Sequence, residues 1–103
     1  MIRVSIDPAA LEFRMDGHAG YAPEGQDIVC AGASMLAAAL FEYVMCMTDE
    51  NERDSCEMES GHAALDVCTN DAELMRMCRH AFETIQKGFE LLANRYPDYV
   101  IID

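Results

Sequence analysis

A thiol at Cys30 and an imidazole at His18, twelve positions apart, are residues of the types that nucleophilic acyl transfer uses. An imidazole can take the thiol proton, leaving a thiolate to attack a carbonyl carbon, and can then protonate the departing amine. Ser34 follows Cys30 by four positions. On a helix that is one turn further along the same face, where its hydroxyl could reach the sulfur, the imidazole or a bound substrate. The residue types alone leave other readings open. A free cysteine is usually a small packing residue, and a histidine in a polar loop is usually only solvated.

The elements around the pair decide whether they can meet. "DIVCAGASMLAAALFEYVMCM", from Asp27 to Met47, reads as a helix. Asp27 is its N-cap, because its carboxylate can accept the unpaired amide hydrogens of the first turn. Cys30 is then the third helical residue, where the positive end of the helix dipole stabilises a thiolate. The amide hydrogens near Cys30 are candidates for holding an oxyanion. Residues 17 to 25 hold three glycines and Pro23, so they form an irregular loop, long enough to fold His18 back over the helix start. No other cysteine has this setting. Cys46 lies late in the same helix, Cys56 and Cys68 lie in strand-like segments, and Cys78 lies on the apolar stripe of a second helix. His62 and His80 have the default reading of solvated histidines. No zinc-ligand spacing is present, so no metal and no cofactor is expected.

Outward from this centre, "IRVSI" and "LEFRM" alternate apolar and polar residues and read as two strands joined at "DPAA". The first helix is apolar on nearly every side, so it is expected to be covered by the sheet on one side and by something else, such as a dimer partner, on the other. "TDENERDS" reads as a charged loop. "CEMESGHAALDVC" reads as a hairpin or a bulged strand broken at Ser60-Gly61. Asn70 and Glu73 resemble a capping box. Leu74, Cys78, Ala81, Phe82, Ile85, Phe89 and Leu92 then recur at helical spacing until Pro97 ends the helix, and "YVIID" is a last strand. The expected order, β-β-α-β(β)-α-β, is an α+β fold in which one sheet packs with two helices as an α/β sandwich.

The chain has 103 residues, which suits one domain over 1–103, and 51% of them are hydrophobic, enough for a compact core. The formal charge of -12 disfavours direct nucleic-acid binding, which needs clustered Lys and Arg, and suits a basic partner. Five cysteines, an odd number without CxxC, and a start with no signal-peptide pattern fit a reducing cytoplasm. The longest uncharged apolar run, Ile28 to Phe41, is shorter than the ~20 residues of a membrane span, so no membrane partner is expected. On these residues alone three classes stay open: a cysteine hydrolase, a non-enzymatic acidic module that captures a basic protein, and a redox-sensing thiol protein at Cys30.

"GHAGYAPEGQDIVCAGAS" closely resembles the signature of the ribosomal-processing cysteine protease family, Prp, roughly G-H-A-x-Y-A-x-x-G-x-D-I-V-C-A-x-x-S. "GFELLANRYPDYVIID" resembles the family's closing helix, Tyr-Pro stop and final strand, and residues 48 to 70 are least distinctive. The resemblance implies a homodimeric α/β sandwich. It makes Cys30 the nucleophile and His18 its general base, with Gly17, Asp27 and Ser34 in support. The loop between His18 and Asp27 would be mobile and order on substrate. The substrate it implies is the N-terminal extension of a large-subunit ribosomal protein, the twenty-seventh, which would otherwise occlude the peptidyl-transferase region. Gly32 departs from the alanine of many members, and close packing against the loop would explain it.

Overall fold

The computed structural model describes residues 1–103. Its elements are β1 (Ile2–Asp7), β2 (Glu12–Asp16), α1 (Ile28–Met47), a single 3-10 turn (Glu50–Glu52), β3 (Arg53–Glu59), β4 (His62–Val67), α2 (Ala72–Arg95) and β5 (Val100–Ile102). The expected order is found, and the ambiguous middle is a hairpin of two full strands. The sheet runs β3-β4-β2-β1-β5. Only the β1–β5 pair is parallel, and two helices pack on the sheet.

Strand alternation explains the core. Ile2, Val4 and Ile6 are buried on β1, and their neighbours Arg3, Ser5 and Asp7 are exposed. The β1–β2 turn is closed by the Asp7 carboxylate, which accepts the amides of Ala9 and Ala10 at 3.0 and 3.2 Å. Phe13 on β2 is the centre of the core. Its ring meets Phe41 of α1 edge-on at 6.1 Å and Phe89 of α2 at 5.7 Å, so one side chain joins the sheet to both helices. On the opposite face of the sheet, Arg14 and Asp66 form a two-pronged ion pair at 2.9 and 2.7 Å between β2 and β4. The Arg14 guanidinium holds the Asp66 carboxyl below its ordinary range, and Asp66 in turn raises Arg14.

Three expectations are corrected. The charged segment is not all loop. Asp49 and Glu52 cap the 3-10 turn reciprocally, and β3 starts at Arg53, with a register shift between Arg53 and Ser55. The α2 cap is Asp71 rather than Asn70. The Asp71 carboxylate accepts the amides of Glu73 and Leu74 at 3.0 and 3.1 Å, which puts Glu73 one position too early for a capping box. Helix α1 ends at Met47 as expected, and it is the length argument against a membrane span, made on the Ile28–Phe41 run alone, that changes. The helix has 20 residues and is long and apolar enough to cross a membrane by length and composition. Six of its side chains, among them Val29, Leu40 and Phe41, are buried in the core instead.

Gly32 is also differently placed. A Cβ there would meet Leu92 Cδ1 of α2 at 3.5 Å, an ordinary contact, so Gly32 faces the second helix and not the loop. The tight crossing is at Gly88, where a Cβ would come within 2.6 Å of Leu36 Cδ2. Replacing Gly32 with alanine should therefore stabilise the fold by up to ~1 kcal/mol, the helix-propensity difference. Phe13→Ala should cost about 3–5 kcal/mol through transfer and cavity terms. Urea unfolding of both variants measures these values, and a destabilised Gly32→Ala protein would contradict the packing described.

Candidate active site

The site begins at a helix end. The Asp27 side chain caps α1 as expected: Oδ1 accepts the amides of Val29 and Cys30 at 3.0 and 2.9 Å. Its other oxygen, Oδ2, accepts the loop amides of Tyr21 and Ala22 at 2.9 and 3.3 Å. One carboxylate thus ties the helix start to the loop carrying His18. These amides, that of Cys30 foremost, hold the Asp27 carboxyl below its ordinary value of 3.8.

The capping changes the expected source of electrostatic help. The first-turn amides of Val29 and Cys30 are committed to Asp27, and that of Ala31 donates to the Asp27 carbonyl at 3.0 Å. They are not free to hold an oxyanion. The amide aimed at the sulfur comes from the loop: Ala19 N–H donates to Cys30 Sγ at 3.3 Å. Ala19 is itself buried, which fixes that donor.

The loop is fastened along most of its length. Gly17 N–H donates to the Gly61 carbonyl at 2.9 Å, and the Met1 nitrogen donates to the His18 carbonyl. Gly17 has φ of +96°, and a Cβ there would collide with the Met1 carbonyl oxygen, so only glycine fits. Tyr21 stacks edge-on against Tyr96 and Tyr99 at 5.5 and 5.2 Å, joining the loop to the segment between α2 and β5. Glycine counting could not reveal these anchors. The Tyr21, Tyr96 and Tyr99 cluster has a sequence signal only in hindsight, since the two motif-bearing ends of the chain hold its rings.

His18, Cys30, Asp27, Gly17 and Ser34 all line one cavity of about 660 Å³, so the fold brings every expected site residue together. His18 is exposed, and its ring lies against the β3–β4 turn, where a Cβ on Gly61 would stand 2.8 Å from Nε2. No hydrogen bond joins that ring to Cys30, and none joins Ser34 to the sulfur. Cys30 is half-buried, Cys78 is buried, and Cys46, Cys56 and Cys68 are exposed. Only Cys30 among them lines this cavity.

His62 also lines the cavity and is not the freely solvated residue expected. Its Nδ1 lies 2.6 Å from Asp16 Oδ1 and its Nε2 lies 3.1 Å from Glu57 Oε2. The Asp16 carboxylate, then that of Glu57, raises the imidazole above its ordinary value of 6.5. In sequence Asp16 is distant from His62, and Glu57 lies five positions before it on the other arm of the hairpin, so strand register assembles the three.

A half-buried thiol and an exposed imidazole facing one open cleft are groups of the kind a thiol hydrolase uses, and comparison with known proteins fixes the family. The Cysteine protease Prp family model matches residues 1–101, and the chain belongs to this family. It is 54% identical over 46 residues to the ribosomal processing cysteine protease Prp of Bacillus subtilis (strain 168), a match spanning 45% of this chain and 41% of that protein. It is 30% identical over 77 residues to the same-named protein of Staphylococcus aureus (strain Mu50), covering 72% of this chain and 73% of the relative. The S. aureus Prp crystal structure with a covalently linked product peptide superposes with a TM-score of 0.80 at 26% identity, covering 100% of this chain and 98% of that one. SMU.848 of Streptococcus mutans shares the fold, with a TM-score of 0.73 at 23% identity, covering 100% and 92%.

Loss of the Asp27 carboxylate should loosen helix and loop together. Its folded-state value is depressed, so it contributes stability that is present above about pH 3.8 and lost as pH falls through the lower folded value. The stability gap between the parent and Asp27→Ala should therefore be constant at neutral pH and shrink only in acid. Chemical unfolding across pH measures it, and a gap that widens in acid would contradict the assignment.

Proposed function

We propose that this chain is a ribosomal-processing endopeptidase that removes the N-terminal extension of a large-subunit ribosomal protein, with Cys30 as nucleophile and His18 as general base. The observation that carries this reading is the placement of Cys30 Sγ, with an amide donor on it, in the same cleft as His18. The covalently linked product peptide in the S. aureus relative supports it, as do the names of both relatives.

In this mechanism His18 takes the Cys30 proton, and Sγ attacks the scissile carbonyl to form the tetrahedral adduct. The same imidazole gives its proton to the departing amine as the carbon–nitrogen bond breaks. A thioester is left on Cys30. Water, deprotonated by His18, attacks that thioester and releases the new carboxylate and the thiol. For this cycle the His18 side chain swings from its seat on Gly61 toward the sulfur, which its exposure permits. Asp27 keeps the loop backbone in place meanwhile, and Ser34 lies one turn beyond Cys30 on the cleft wall. The net charge of -12 suits a basic ribosomal protein.

The working unit in this reading is a homodimer in the cytoplasm. Helix α1 is covered on one side only. Met35, at 69% exposure, and Leu91 of α2, at 70%, lie on one uncovered apolar groove between the helices, and a second copy of the chain would bury it. Leu91→Glu should convert the dimer to monomer by light scattering, and a parent that is already monomeric would overturn this assembly.

The enzymatic proposal is tested by incubating the extended ribosomal protein from the same organism with the protein and identifying products by mass spectrometry. The parent should cut once, at the junction between the extension and the rest of the ribosomal protein. Cys30→Ala should leave no detectable cleavage, and His18→Ala should lower kcat by about 10²–10⁴-fold, the usual contribution of a general base. Cleavage by Cys30→Ala at the parent rate would refute the mechanism.

A further inference from the structure

From the way His62 bridges two strands at the side of the cleft, we infer that it is a positioning residue for His18, acting through the ends of the segments that hold it. Resting on Cys30 and His18 as the reacting pair, the inference gives His62 a role that the catalytic motif does not contain. Two connections run from His62 to His18. The first passes through Asp16, the last residue of β2, directly before Gly17 and His18. Asp16 Oδ1 lies 2.6 Å from His62 Nδ1, so the imidazole holds the point where the loop departs. The second passes through the β3–β4 turn. Gly61 precedes His62, its carbonyl accepts the Gly17 amide at 2.9 Å, and the His18 ring fills the space that a Gly61 side chain would take. Glu57 of β3, at 3.1 Å from Nε2, closes the other side of the hairpin.

The clasp works only with a charged ring. An imidazolium offers N–H donors to both carboxylates, whereas the neutral ring has one donor and turns a lone pair toward the other carboxylate. Asp16 faces it from β2, Glu57 faces it from β3, Glu59 lies opposite it in the β3–β4 register, and His18 lies across Gly61. Gly61 itself leaves no slack, since a side chain there would occupy the seat of the His18 ring. Loss of the clasp frees both the loop's departure point and the turn, and the His18 ring loses its defined path to Cys30. The consequence is a lower kcat with little effect on peptide binding.

The experiment compares the full-length parent with His62→Ala, His62→Lys and Glu57→Gln, with His18→Ala and Cys30→Ala as references. The substrate is a synthetic peptide spanning the junction of the ribosomal-protein extension. Iodoacetamide alkylation of Cys30, resolved from the other cysteines by mass spectrometry, is followed against pH alongside. His62→Ala should lower kcat at least about tenfold with KM within twofold, and its Cys30 alkylation profile should approach that of His18→Ala. His62→Lys, which keeps the positive charge between the carboxylates, should recover part of kcat. Glu57→Gln, an exposed change that removes one arm, should show a smaller loss of the same kind and keeps the test valid if His62→Ala folds poorly. Parent-like kcat and alkylation in both His62→Ala and Glu57→Gln would overturn the inference while leaving the Cys30–His18 mechanism standing. A raised KM with unchanged kcat would overturn it too, since His62 would then touch the peptide. Cleavage by Cys30→Ala would overturn both.

Discussion

The geometry of this molecule depends on a single carboxylate with two jobs. Asp27 caps α1 through one oxygen and holds the loop amides of Tyr21 and Ala22 through the other. A helix N-cap is common, because first-turn amides have no partners inside the helix. Here the cap also fixes the relation between the element that carries Cys30 and the segment that carries His18. The order of residues in the motif follows from this. The carboxylate must precede the cysteine by three positions to cap its turn. The loop must be long enough to return its amides to the same side chain.

The rest of the fold makes that junction rigid from both directions. The core built on Phe13 holds α1 against α2 and the sheet. Tyr21 is gripped by Tyr96 and Tyr99, and Gly17 by the β3–β4 turn. The backbone of the loop is thus held while the exposed His18 side chain keeps its freedom. Such a division suits a site that must admit a polypeptide and then bring two reacting groups together around it. The outer face of the sheet adds charge pairing between strands at Arg14–Asp66 and around His62, so the hairpin beside the cleft is locked by side chains as well as by its ladder.

Much of this was legible in the residues. Alternation at Ile2, Val4 and Ile6 and the helical recurrence from Leu74 to Leu92 report directly on which face is buried. Asp27 before an apolar run marked the helix start, and hence the setting of Cys30. The failures have physical causes. Asn70 and Asp71 are both good caps, and only the backbone decides which one turns its side chain to the amides. Arg53 to Ser55 lack alternation because β3 lies at the sheet edge, where most side chains meet water. The oxyanion expectation counted first-turn amides as free and overlooked that the cap uses them. His62, Asp16 and Glu57 carry no local pattern at all, because cross-strand register brings them together.

The most direct test of the central claim, that Cys30 forms a covalent bond to the substrate's carbonyl carbon, is the intact mass of the protein during turnover, quenched in acid. The account predicts a transient species heavier by the N-terminal product less one water, located on Cys30 by peptide mapping and never formed by Cys30→Ala. Steady cleavage with no adduct on the chain, or with the adduct on Cys46, Cys56, Cys68 or Cys78, would contradict it.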